Sequence, residues 1–131
     1  MTLLSYPVGM RVDQWMHDEF PTLRDVQREG MQQIQQENLQ LLSMAMGRLT
    51  VPVPLLGMPA AYALLADQLM GTSVYAIPYR GAGVMGVGEA LRDAGAAVPQ
   101  GPEHDRALID AWAQALGMSS WYAWRPYKIL S

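Results

Sequence analysis

The longest uninterrupted pattern in the chain covers residues 22–49, where glutamine, leucine and methionine dominate and no proline occurs. Apolar or small side chains recur there at alternating spacings of three and four residues, which places them on one face of an α-helix. We therefore predict one long helix over residues 22–49. The spacing is that of a short coiled-coil seam, whose members are Met31, Ile34, Asn38, Leu41 and Ala45.

The two halves of this helix differ in how much of their circumference is apolar. Arginine, glutamine and glutamate surround the seam in the first half, whereas in the second half a neighbouring row, which includes Leu39, Leu42 and Met46, is also apolar. A helix that is apolar nearly all round is buried nearly all round. We expect the second half to lie in the core and the first half to project, or to meet another helix along the seam.

Prolines and glycines divide the N-terminal two-thirds into shorter segments. Residues 1–10 predict an irregular arm, residues 14–20 a short helical turn, and residues 50–59 a connector whose prolines favour extended backbone. Residues 59–70 predict a core helix with Pro59 at its first position and Gly71 after its end. Residues 74–79 are β-branched and aromatic, but Pro78 limits them to an edge strand or an extended arm.

The C-terminal third predicts two further helices and a tail. A glycine-rich stretch over residues 81–88 leads into a short helix that ends at Gly95. A better-defined helix starts at Pro102, carries acidic residues in its first turn and ends at Gly117. Residues 119–131 predict an extended aromatic tail. We expect one mainly α domain over residues 1–131, with a helical core at 59–117, three or four shorter helices beside the long one, and at most a minor β element.

The composition shows more apolar surface than a solitary domain of this size needs. Half of the residues are hydrophobic and 16% are charged, against a usual charged share of about 25%. Such a low share of charged residues indicates that other protein chains cover part of the surface. We expect a homo-oligomer, a hetero-assembly, or both.

Charge and residue types exclude several classes of protein. The net charge of −3 argues against direct sequence-specific binding of nucleic acid, which favours a basic face. The absence of cysteine excludes disulfide frameworks and thiolate metal sites. Residues 39–70 are apolar but interrupted by charges and prolines, so no membrane span is expected. Residues 1–10 lack the pattern of a secretory signal peptide, and we expect a cytoplasmic or virion location.

One motif has a known chemistry. Gly81, Gly83 and Gly86 form G-x-G-x-x-G, which in a dinucleotide-binding loop follows a strand, opens a helix and lets the backbone approach a pyrophosphate. The same small residues also permit close helix packing or a hinge, and Pro78 in the preceding segment favours that interpretation. No cofactor is therefore expected.

Other chemistry has less support. His17 and His104 lie in short polar runs without the spacing of a metal site, and no serine has a nucleophile motif around it. We expect neither a metal site nor catalytic residues.

The tail interleaves aromatic rings with basic side chains. Tryptophan, tyrosine and arginine are enriched at the energetic centres of protein interfaces, which indicates a docking segment; packing into the chain's own core, or stacking on single-stranded nucleic acid, would use the same residue types. The residues that carry this prediction are Trp121, Tyr122, Trp124, Arg125 and Tyr127.

The pattern as a whole favours a non-enzymatic structural or adaptor subunit of a multi-chain assembly. Small virion or connector-type proteins share this design, with a long helix and a terminal arm. Its interface would consist of the aromatic tail and the helix seam of Met31, Ile34, Asn38 and Leu41. Two alternatives remain: a small inhibitor or regulatory protein that covers a partner's surface, and a nucleotide-binding module or enzyme that uses the loop at 81–88.

Overall fold

The computed structural model describes residues 5–48 and 53–121, and within them the chain forms six α-helices and no strand. The mainly helical fold predicted from the sequence is thereby confirmed. In chain order the helices are α1 (Tyr6–Glu19), α2 (Arg24–Arg48), α3 (Val53–Met70), α4 (Ile77–Gly81), α5 (Met85–Ala96) and α6 (Asp105–Leu116), and short 3₁₀ turns occupy Pro21–Leu23, Pro102–His104 and Ser119–Trp121.

The long helix and the last helix lie where the sequence predicted them. The 3₁₀ turn at Pro21–Leu23 leads directly into the 25 residues of α2. Helix α6 follows the turn at Pro102–His104 and ends at Gly117, whose φ of 71° is the left-handed conformation that glycine adopts without steric cost. In both cases, the signals at the helix ends and the apolar stripe predict the same helix.

The predicted N-terminal arm is wrong from residue 6 onward. Helix α1 begins at Tyr6 and continues without a break to Glu19, so it includes the short turn expected at 14–20. Pro7 lies in its first turn, where a missing backbone N–H breaks no intrahelical hydrogen bond. Tyr6 and Pro7 are buried, and their tertiary packing therefore outweighs the weak helix propensity of the segment.

The predicted extended connector is likewise wrong over its second half, because α3 begins at Val53 rather than at Pro59. Pro54 lies in the first turn, and Pro59 is inside the helix, where it removes one intrahelical hydrogen bond. Helix α3 packs mainly against α5, and the contact is close because Gly88 lies against Ala60. Packing against α5 therefore stabilises α3 as a helix in spite of the hydrogen bond lost at Pro59.

The predicted strand at residues 74–79 is replaced by a turn and by α4. The buried Asp67 carboxylate accepts hydrogen bonds from the Thr72 hydroxyl at 2.8 Å and from the backbone N–H groups of Tyr75 at 2.9 Å and Ala76 at 3.0 Å. Donors engaged in this way cannot pair with a neighbouring strand. Pro78 then lies in the first turn of α4, a position that tolerates proline.

The core consists of two clusters that share α3. One brings α1 and α6 against α3 and α5, and includes Tyr6, Tyr62, Leu91 and Trp112. The other lies under the second half of α2 and under α4, and includes Leu42, Ala63 and Tyr79. The guanidinium of Arg11 connects α1 to the end of α5 by donating to the backbone carbonyls of Gly95, Val98 and Pro99.

The predicted tail differs at its start and is otherwise beyond the described range. Residues Ser119–Trp121 form a 3₁₀ turn instead of an extended segment. Residues 122–131 lie outside the described part of the chain. Among the described helices, none is long and apolar enough to cross a membrane.

Candidate functional site

The buried edge of α2 is rotated relative to the predicted seam. It consists of Met31, Gln35, Asn38, Leu42 and Ala45, which recur at alternating spacings of four and three residues. Met31, Asn38 and Ala45 belong to both sets, whereas Ile34 is half-buried and Leu41 is 59% exposed. The seam residues therefore divide between the core and the flank of α2 that adjoins α1.

Large apolar side chains remain exposed around the second half of α2, which corrects the expectation that this half is buried nearly all round. The ones exposed by more than 40% are Leu39, Leu41, Met44 and Met46. Helix α2 contacts α1 and α3 along its buried edge, and the rows on both sides of that edge face outward. Each of these two flanks borders a groove.

The first groove, here called the α1/α2 groove, lies between the first two helices and has a volume of about 400 Å³. Its walls combine small and apolar residues: Gly9, Val12 and Met16 from α1, and Gly30, Met31 and Ile34 from α2. A Cβ atom added at Gly9 or at Gly30 meets no atom within 4 Å. These two helix-interior glycines cost roughly 1 kcal/mol each relative to alanine, and packing within the described residues does not require them.

The floor of this groove carries a hydrogen-bonded pair. The Tyr62 hydroxyl donates to the Asp13 carboxylate at 3.2 Å, and the Gln27 amide donates to the backbone carbonyl of Asp13 at 2.7 Å. Burial raises the pKa of the Asp13 carboxyl, and hydrogen bonds from Tyr62 and Gln27 offset part of that rise. Burial, followed by the charge of Asp13, raises the pKa of Tyr62 above its ordinary value.

The second groove, here called the α2/α4 groove, lies on the opposite flank of α2 and has a volume of about 180 Å³. Apolar residues on its rim are exposed, Leu39 by 42% and Val74 by 56%. Its lining includes Gln35 and Leu39 from α2, together with Val74, Tyr75, Pro78 and Tyr79 from the turn and from α4.

Two residues that line the α2/α4 groove each have a fully buried polar atom that lacks a hydrogen-bond partner among the described residues. The two atoms are the side-chain nitrogen of Gln35, whose residue is 5% exposed, and the hydroxyl of Tyr79, whose residue is 1% exposed. Burial, followed by the neighbouring Tyr6, raises the pKa of Tyr79 to about 12. An unsatisfied buried polar group costs about 1–3 kcal/mol, so this is a destabilised part of the core.

One turn along α2, Asn38 has a similar environment. Its buried amide nitrogen has no hydrogen-bond partner among the described residues, and the Tyr6 hydroxyl is a polar neighbour of the side chain. Burial raises the pKa of Tyr6, and the Asn38 amide partly offsets this. The predicted core position of Asn38 is thus correct, but its neighbour is a tyrosine of the same chain.

The glycine-rich loop joins two helices. Gly81 ends α4, Gly83 occupies the turn with a φ of 77°, and Gly86 lies exposed in the first turn of α5. The strand that a dinucleotide loop must follow is absent from the described residues around it, because α4 takes its place. The glycine with a close packing contact is Gly88, two residues beyond the motif.

Metal-ligating residues do not converge in the described part of the chain, where no group of three or more histidine, cysteine, aspartate or glutamate side chains could hold an ion. His17 lies beside Asp18 and His104 beside Glu103, each pair at 3.6 Å. These are contacts between neighbours in the chain.

The predicted aromatic tail falls almost entirely beyond the described residues. Tyr122, Trp124, Arg125 and Tyr127 lie outside the described residues, and of Trp121 the backbone alone is described. Sequence reasoning missed Gln35, Val74 and Tyr79. A glutamine among many on α2 carries no sign of burial, and the role of the other two depends on α4, which was predicted to be extended.

Comparison of the chain with protein-family models, with curated proteins and with solved structures gives no match.

Proposed function

We propose that this protein is a non-enzymatic structural or adaptor subunit that binds other protein chains along the flanks of α2 and through its aromatic tail. The observation that carries the proposal is the row of apolar and glycine positions on the α1 side of α2. Gly30, Ile34 and Leu41 follow each other at helical spacing there, and Ile34 and Leu41 have apolar surface left open to solvent.

The α1/α2 groove suits a helix from another chain. A docked helix presents side chains at spacings of three, four and seven residues to an apolar groove. Glycines let a second helix backbone approach closely, and Gly9 and Gly30 line this groove from α1 and from α2 with open space beside each. Such contacts favour protein as the partner.

The test compares two glycines of α2 in the full chain. Leucine at Gly30 fills the α1/α2 groove, whereas leucine at Gly47 adds the same side chain at another exposed position with open space around it. We expect the native chain to self-associate at tens of micromolar in sedimentation velocity, Gly30→Leu to weaken this association, and Gly47→Leu to leave it unchanged.

Two outcomes contradict the proposal. One is a native chain that stays monodisperse and monomeric at these concentrations and that shows no companion chain in native mass spectrometry of material from its source. The other is association that Gly30→Leu and Gly47→Leu weaken equally. Circular dichroism of both variants verifies that the helices are retained.

A further inference from the structure

The α2/α4 groove has the size of a single large side chain. Pockets for small-molecule ligands span about 300–1,000 Å³, whereas this groove holds about 180 Å³. Its exposed rim of Leu39 and Val74 is apolar. The shape and surface therefore favour one apolar ring or branched side chain from a protein segment.

Two residues of the lining also have polar atoms behind the groove surface that are unpartnered within the described part of the chain. Gln35 contributes a buried N–H donor and Tyr79 a buried hydroxyl, and neither group has a partner among the described residues. An apolar rim with polar atoms behind it suits a side chain with an apolar body and a polar tip, and tyrosine and tryptophan are the residues with that character.

The chain itself contains a segment of this chemistry. Residues 122–131 include Tyr122, Trp124 and Tyr127. Extended, ten residues reach about 33 Å, well beyond the radius of gyration of about 14 Å expected for a domain of this length. The segment continues from α6, which packs against α5 and α1, whereas the groove lies between α2 and α4. A segment of this length can extend well past the face of α6 from which it continues.

The distribution of charge also favours a contact between the tail and the rest of the chain. Two of the chain's nine basic residues, Arg125 and Lys128, lie in the tail, which has no acidic residue. The rest of the chain has seven basic residues against all twelve acidic ones. A cationic tail and an anionic body attract each other at long range.

We propose that the α2/α4 groove binds the aromatic tail, residues 122–131, of a second copy of this chain. This inference rests on the proposed function and specifies the partner of one of its surfaces. Tail and groove are different surfaces, so the contact is head-to-tail, and it closes into a ring when the rotation between copies permits.

A complementation experiment with full-length chains tests the pairing. The groove variant Leu39→Glu retains its tail, and the tail variant Trp124→Ser/Tyr127→Ser retains its groove. Leu39 is partly exposed, and Gln40→Glu, which adds the same charge at the next exposed position, is the matched control. We expect the native chain and the control to self-associate, each variant alone to lose this contact, and an equimolar mixture of the two variants to recover a heterodimer in native mass spectrometry.

Other outcomes overturn the inference in distinguishable ways. If both variants associate like the native chain, the tail does not use this groove, although the proposed function remains supported by the association itself. The tail binds the groove of its own chain if three results coincide. The native chain is monomeric, the mixture yields no heterodimer, and the tryptophan emission of Leu39→Glu differs from that of the native chain. If Leu39→Glu lowers the thermal midpoint markedly, Val74→Glu on the same rim replaces it.

Discussion

The Tyr62 hydroxyl donates a hydrogen bond of 3.2 Å to the Asp13 carboxylate, which joins the middle of α3 to the middle of α1 at the floor of the α1/α2 groove. The Tyr62 ring also contacts Tyr6 edge-on, with ring centroids 6.3 Å apart. The start of α1 is therefore held by an aromatic contact and its middle by a polar one. This arrangement makes the stability of the fold depend on the charge of Asp13.

The pH dependence of folding should change in Asp13→Asn. Folding raises the pKa of Asp13 above its ordinary value of 3.8, so the folded chain binds this proton more tightly than the unfolded chain. The stabilisation that results is present below pH 3.8 and is lost as the pH rises through the raised pKa. Urea unfolding at a series of pH values should show Asp13→Asn becoming more stable relative to the native chain as the pH rises through that pKa. If the free energy of unfolding of the two chains has the same pH dependence, the raised pKa of Asp13 is contradicted.

Tyr79→Phe should stabilise the unassembled chain by about 1 kcal/mol, because it removes a buried hydroxyl that has no partner among the described residues while retaining the ring. Tyr62→Phe is the matched control, since its hydroxyl has a partner in Asp13. That variant should lose about 1 kcal/mol. Chemical denaturation at a concentration where the chain is monomeric measures both, and a loss of stability in Tyr79→Phe would show that its hydroxyl is satisfied.

Asp67→Ala should destabilise the protein by about 3 kcal/mol, because three donors lose one buried acceptor. Thr72→Val removes one of these hydrogen bonds and should cost about 1 kcal/mol. Hydrogen exchange provides the local measurement: the amides of Tyr75 and Ala76 should exchange faster in Asp67→Ala and remain protected in Thr72→Val. Unchanged protection in the alanine variant would contradict the role of Asp67 in shaping the turn before α4.

Gly88→Ala and Gly86→Ala should change stability in opposite directions. A Cβ at Gly88 would lie 2.8 Å from the Cβ of Ala60 and 3.0 Å from its backbone, so α3 and α5 must separate, at a cost of about 1–3 kcal/mol. A Cβ at Gly86 meets nothing within 4 Å and should stabilise α5 by about 0.5–1 kcal/mol. Thermal unfolding of the two variants compares them directly. Equal effects would mean that helix packing does not explain the glycine at 88.

Sequence reasoning succeeded where the signals were local. Helix α2 has a long proline-free pattern, and α6 has an acidic first turn and a C-terminal glycine. It failed where distant groups decide the backbone conformation. Residues 74–79 are rich in β-branched and aromatic side chains, but the N–H groups of Tyr75 and Ala76 donate to Asp67. Helix α3 continues through Pro59, where Ala60 packs against Gly88 of α5.

For the candidate surfaces, too, the sequence predicted the local features and the tertiary structure decided the rest. The sequence identified α2 as a helix with a heptad-like seam, because apolar spacing depends on helix geometry alone. The choice of buried edge required the positions of α1, α3 and α4, which turn Gln35 and Leu42 inward and leave Leu41 on the flank.

The sequence by itself determined a mainly helical chain, the long helix α2, the end of α6 at Gly117 and the excess of apolar over charged residues. Periodicity, end signals and composition are local or additive properties, so they can be read without a structure. The tertiary structure alone decided that residues 77–81 are helical, that α1 and α3 start early, and that α2 has a groove on each side. These features depend on contacts between residues far apart in the chain, such as Asp13 with Tyr62 and Asp67 with Ala76.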